Sequence, residues 1–313
     1  MAPEKFCAYC GKPVLPQAAF CAFCGASLAA PRRGAVRRSA AVPDRAKLVG
    51  PCTVIYAGRG EMEVRRVGRL AAETVKMPLP DVTRQMRTSK GFLAAGLPSD
   101  QAASLAERAE KELGAPILVI PDDACVPLPP AMRMRQAVID ADGIRCEAYT
   151  WNLTERVTAN WDAVFLVCCG RIRTEQVVED RDAAPVRTGF FVRPTPLATN
   201  VQHEYLVDIV LFEQDENGGA EGWRRLRLDQ NTSAFSLTEM KHDPSERTGA
   251  LYRCAVNLDR YAAAVPKNAG VGLLASGAAD AAWEPFTFLN KQDFDMYARW
   301  LLQLVRYGHD AAL

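Results

Sequence analysis

The sequence predicts an α+β chain of several units: a small cysteine-built module at the amino terminus, a basic linker, a split α/β unit, and a β-rich unit closed by a helix. Three observations carry this. Two C-x2-C pairs lie within the first 24 residues; an arginine-rich stretch with few bulky apolar residues follows; and beyond it short β-branched runs surround one clear helical period. At 313 residues the chain exceeds one ordinary core, which fits two body units and an appendage.

In order, residues 1–28 hold the cysteine pairs. Residues 29–47 carry Arg32, Arg33, Arg37 and Arg38 among breakers and small residues, and read as a flexible basic linker. The α/β unit is expected over residues 48–135. Pro51–Tyr56 reads as a strand, Gly58-Arg-Gly60 as a hairpin turn, and the chain from Met62 as a second extended stretch. From Ser99 the apolar residues Ala102, Leu105, Ala106, Ala109 and Leu113 recur at helical steps, and Gly114 stops them. Ile117–Ile120 follows as a buried strand, giving a strand–strand–helix–strand order of ferredoxin-like half type, closed by Pro127–Pro130.

The β-rich unit is expected over residues 136–308. Asp142-Gly143 between apolar flanks predicts a hairpin, and Trp161–Val167 a buried strand. Residues 174–200 are polar and proline-containing and read as a long loop. Tyr205–Phe212 and Trp223–Leu228 flank the turn-rich segment 215–219; the second run alternates apolar residues with arginine, which predicts a half-exposed hairpin. Phe294, Tyr297, Ala298, Leu301, Leu302, Leu304 and Val305 mark a final helix with a wide apolar face, ending near Gly308. A strand carrying Asn160-Trp161-Asp162, further strands, a hairpin and a terminal amphipathic helix resemble, in pattern, a pleckstrin-homology-like barrel.

The chemistry with a specific signature is at the amino terminus. Cys7-x2-Cys10 and Cys21-x2-Cys24 place two thiolates on each of two tight turns, four soft ligands suited to one tetrahedral Zn²⁺. Gly11 and Gly25 follow the pairs, and Phe6, Tyr9, Phe20 and Phe23 supply most of the apolar surface, so metal binding must supply the folding free energy. Phe6-Cys-Ala-Tyr-Cys-Gly and Phe20-Cys-Ala-Phe-Cys-Gly resemble the bacterial zinc-ribbon family over residues 5–28. That resemblance implies a closed, structural, non-catalytic zinc and a role in interactions.

Charge is unevenly placed. Residues 1–50 hold eight Lys or Arg against Glu4 and Asp44, a net +6; the other 263 residues carry 30 basic against 35 acidic groups, a net −5. By this count a nucleic-acid role rests on the first fifty residues, with Arg32, Arg33, Arg37 and Arg38 as phosphate contacts. No apolar run reaches the roughly 20 residues of a membrane span. The first residues lack the pattern of a secretion signal. Cys52, Cys125, Cys146, Cys168, Cys169 and Cys254 sit in apolar segments and read as reduced core residues of a cytoplasmic protein.

Catalytic constellations fare poorly. His203, His242 and His309 lie in separate segments with no nucleophile elbow. Cys168-Cys169 reads as buried strand, and Gly270-Val-Gly272 through Gly277 lacks dinucleotide-loop spacing. The sequons at Asn152 and Asn231 carry no meaning in a cytoplasmic chain, and the acidic pairs Asp122-Asp123 and Glu179-Asp180 read as turns and solvated loops. The expectation is a non-enzymatic zinc-ribbon adaptor with a protein partner. The alternatives are a nucleic-acid-associated regulator using residues 1–50, or an enzyme with its site between the two body units.

Overall fold

In the computed structural model, the residues described are 40–58, 64–89, 91–114, 116–150, 153–179, 197–213, 222–230 and 244–309, with four short strands elsewhere. Two of these, β1 (Lys5–Phe6) and β2 (Pro13–Val14), pair antiparallel with Phe6 opposite Pro13. The fold is mixed α and β, built on two main sheets.

The first sheet comes from residues 51–121. Its elements are β3 (Pro51–Tyr56), α1 (Val64–Val75), α2 (Leu79–Ser89), β4 (Phe92–Pro98), α3 (Ser99–Leu113) and β5 (Ile117–Pro121). The strand order is β4-β3-β5, with β3 antiparallel to both neighbours. The strand–helix–strand unit β4-α3-β5 is thus split by a central antiparallel strand. Side chains alternate between two cores, as a pleated strand requires. Cys52, Val54, Ile117 and Val119 pack with α1 to α3, while Ile55, Leu118 and Ile120 join the larger core on the other side.

One expectation fails here. The chain after Met62 is helical from Val64, not extended. Val64, Val67, Gly68, Ala71 and Val75 follow a helical period, but the glycine and the valines weaken the signal by propensity. Gly68 has a packing reason: a Cβ there would sit 3.3 Å from the Thr83 hydroxyl of α2, so its absence lets the two helices close up. Lys76, with φ of 54°, ends α1, and the Met77 N–H donates back to the Ala72 carbonyl at 3.2 Å.

The second sheet has seven strands. They are β6 (Ala131–Asp140), β7 (Gly143–Tyr149), β8 (Thr154–Ala159), β9 (Val164–Glu179), β12 (Leu197–Glu213), β13 (Gly222–Asp229) and β14 (Thr287–Phe288). The minor pair β10 (Arg187–Thr188) and β11 (Phe191–Val192) stands apart from them. The order is β14-β9-β12-β13-β6-β7-β8, with β13–β6 and β14–β9 parallel and the rest antiparallel. β6 begins directly after the proline cluster, at Ala131 and not at 136. The expected loop over 174–200 is in part strand: β9 and β12 stay paired out to Glu179 opposite Leu197. An antiparallel ribbon can satisfy its backbone groups without burying side chains, so polar sequence does not exclude it.

Three helices complete the body: α4 (Pro244–Tyr261), α5 (Ala269–Ser276) and α6 (Lys291–Arg306). α4 packs against β6 and α5 against β9. A Cβ on Gly270 would lie 2.6 Å from the Cys169 carbonyl oxygen, so this glycine serves helix–strand approach. Helix α6 lies between the two sheets and is buried nearly all round, including Phe294, Tyr297, Trp300, Leu301, Leu302 and Gln303. Trp300 donates to the Tyr56 carbonyl at 2.8 Å, and Gln303 pairs with both backbone groups of Val126. One continuous apolar cluster consequently joins Ile55 and Leu118 of the first sheet to Leu166, Ile209 and Leu226 of the second.

Candidate functional site: a buried charge cluster beneath helix α6

The alternation of β13 places Arg225 and Arg227 on one face of the sheet. The sequence reads this as a solvated face, yet the two residues are only 2% and 6% exposed. Their partner is Asp208 on β12, which is fully buried. Arg227 donates from Nε to Asp208 Oδ1 at 2.7 Å and from Nη2 to Oδ2 at 2.8 Å; Arg225 reaches Oδ2 from Nε at 2.8 Å. Asp295 of α6 closes the cluster, accepting from Arg227 Nη2 at 2.6 Å and from Arg225 Nη2. The half-exposed hairpin is therefore covered, because a carboxylate from a helix 68 residues away neutralises its arginines.

Two cations and two carboxylates balance here, the condition under which buried charge is tolerated. Burial pushes Asp208 up to about 6 against the pull of Arg227, and burial likewise raises Asp295 to about 6. Desolvation works against the charge on Arg227, but the two aspartates outweigh it and hold the guanidinium above its ordinary value. Arg227 also lies over the Phe294 ring at 5.4 Å. Beside this group, Lys291 at the start of α6 donates to Glu204 at 2.9 Å and to buried Asp229 at 2.8 Å. Burial and the neighbouring Asp229 raise Glu204. The arrangement pins the first turns of α6 to the sheet.

No family model matches this chain, and neither does any curated protein or solved structure. The residues of the chain are thus the whole basis for a functional reading. The expected zinc ligands Cys7, Cys10, Cys21 and Cys24 and the expected phosphate contacts Arg32, Arg33, Arg37 and Arg38 lie outside the described residues. Among the described residues no cluster of three or more His, Cys, Asp or Glu side chains is arranged for a metal, and no helix is long and apolar enough to cross a membrane. The six body cysteines are unpaired thiols; Cys52, Cys146, Cys168 and Cys169 are buried, and burial raises Cys146 to about 11. His203 is on β12 and His309 follows α6, both lowered by burial, while His242 lies outside the described residues.

The basic linker differs from expectation at its carboxyl end. Residues 40–47 are docked on the body. The Ala40 N–H donates to the Arg306 carbonyl at 2.8 Å, and Asp44 caps a 3-10 turn over Arg45–Lys47. Arg45 forks onto Glu110 at 2.6 and 2.7 Å and reaches the Ile117 carbonyl at 2.6 Å. The hydrogen bond to Glu110 raises the Arg45 guanidinium, and Arg45 in turn lowers the Glu110 carboxyl. Composition treats every arginine in a polar stretch as solvated; a planar fork facing a fixed carboxylate is the exception.

Proposed function

We propose that the chain is a non-enzymatic binding protein: a zinc-held amino-terminal module docks a protein partner, and the α/β body is the rigid platform to which it is tied. The zinc part rests on the spacing Cys7-x2-Cys10 and Cys21-x2-Cys24 and on the zinc-ribbon resemblance over residues 5–28. The pairing of Lys5–Phe6 with Pro13–Val14 is compatible with a knuckle at the first cysteine pair. The tethered reading rests on the composition of residues 29–39, arginine-rich with few bulky apolar residues, and on the body holding the chain that follows, by the Ala40 bond to Arg306 and the Arg45 fork on Glu110. Linking two contact surfaces on one chain raises the effective concentration of the second once the first is engaged.

Native mass spectrometry tests this, with one zinc expected per chain and none after Cys21→Ser and Cys24→Ser together. The melting transition of the body should stay in place when zinc is lost. A crosslinked partner in native extract should disappear with the same double substitution. A chain without zinc, or a body that unfolds when the cysteines are replaced, would overturn the reading.

A further inference from the structure

The outer part of the seven-stranded sheet, β6 to β8, is buried on one face only. Met134, Ile139, Ile144, Cys146, Ala148, Val157 and Ala159 point into the core. The residues alternating with them are solvated and basic: Arg133 and Arg135 on β6, Arg145 on β7 and Arg156 on β8 are all exposed. The register arranges them in rows. Arg135 stands opposite Glu147, which stands opposite Arg156; Arg133 stands opposite Tyr149. Arg145 is paired with Asp140, whereas Arg133, Arg135 and Arg156 make no ion pair among the described residues. Four arginines thus face two acids, although over residues 131–159 the four arginines are matched by four acids, Asp140, Asp142, Glu147 and Glu155. The net count conceals the patch because Asp142 lies in the turn and Glu155 alternates with Arg156 along β8.

We propose that this face binds single-stranded nucleic acid, with Arg133, Arg135 and Arg156 on its phosphates and bases. Rows about 4.8 Å apart across strands and about 6.8 Å along them suit a repeating polyanion better than a point anion. The Arg135 guanidinium lies over the Tyr149 ring at 4.4 Å, a cation–π contact that puts a planar cation and an aromatic ring side by side on this face, both groups on which a base can stack. Planar guanidinium also serves phosphate in a bidentate way that lysine does not. The basic stretch from Arg32 to Arg38 gives the same chain a second place to engage the same polymer.

The test is fluorescence anisotropy of a labelled oligothymidine and an oligouridine of about 20 nucleotides, long enough for more than one contact row. It uses the full chain with Arg32, Arg33, Arg37 and Arg38 replaced by alanine, so that the sheet acts alone. Adding Arg133→Ala, Arg135→Ala and Arg156→Ala should weaken binding by about ten-fold or more and flatten the log K against log salt slope by about 2, at 0.7 per phosphate. Glu147→Gln should tighten binding about two-fold, a gain that misfolding cannot mimic. The proposal is overturned by affinity indifferent to the three arginines, by no binding near 50 mM salt, or by polyglutamate or phosphatidylserine vesicles binding these arginines more tightly than either oligonucleotide. It stands or falls independently of the zinc module.

Discussion

Removing the carboxylate of Asp208 is the sharpest test of the charge cluster. Asp208 is fully buried and takes donations from Arg225 at 2.8 Å and from Arg227 at 2.7 and 2.8 Å. Asp208→Ala leaves two guanidinia buried with only Asp295 to share. Breaking a buried pair by removing one partner costs about 3–5 kcal/mol. Asp295, whose side chain is 41% exposed, retains contact with both arginines and takes up part of the loss. A cost of about 3 kcal/mol, seen as a fall in Tm of roughly 5–10 °C, is the expected result. Urea denaturation followed by circular dichroism measures it. Replacing the cluster together, with Asp208→Leu, Arg225→Met and Arg227→Met, should recover most of that stability, since well-packed apolar residues often equal a buried ion pair. A loss under about 1 kcal/mol for Asp208→Ala would refute the reasoning, because the guanidinia would then be solvated and not trapped under α6.

Two further outcomes follow from the same fold. Asp208, held up at about 6 by burial, keeps a proton that the unfolded chain has released from about pH 4 upward. Its contribution to stability is therefore complete below about pH 4 and fades as pH rises through about 6. Wild type should lose more stability than Asp208→Asn between those values; equal slopes in denaturation curves of the two would remove the assignment. Lys76 and Gln136 hold positive φ of 54° and 50°, which costs a side-chain-bearing residue roughly 1 kcal/mol. Lys76→Gly and Gln136→Gly should each raise the unfolding midpoint, and a fall in either would show a side-chain contact outweighing the backbone relief.

Much of the fold was legible because local rules and tertiary packing agree. α3 shows a clear apolar period and ends at Gly114 in the left-handed conformation; the β6–β7 and β12–β13 hairpins announce themselves through turn residues; α6 shows its apolar face. α1 was not legible, since Gly68 weakens the pattern for the sake of contact with α2. β4, with Gly96 and Pro98 in a run of seven, lacks strand propensity and is held by pairing with β3. The charge cluster was invisible for a different reason. Alternating arginine means solvent unless a distant carboxylate arrives, and Asp295 arrives from an element whose pattern advertises only its apolar residues. The arginine face of β6–β8 was hidden by arithmetic, because a regional charge total says nothing about which side of a strand each charge occupies.

Helix α6 touches strands made very early in synthesis: the hydrogen bond from Trp300 to the Tyr56 carbonyl spans 244 positions. Neither sheet can seal its inner face until that helix has left the ribosome. Contacts so remote in sequence carry a heavy loop-closure cost and slow the search. During translation Ile55, Leu118 and Ile209 lack that cover, and transiently exposed apolar surface of this kind is where a nascent chain is open to aggregation.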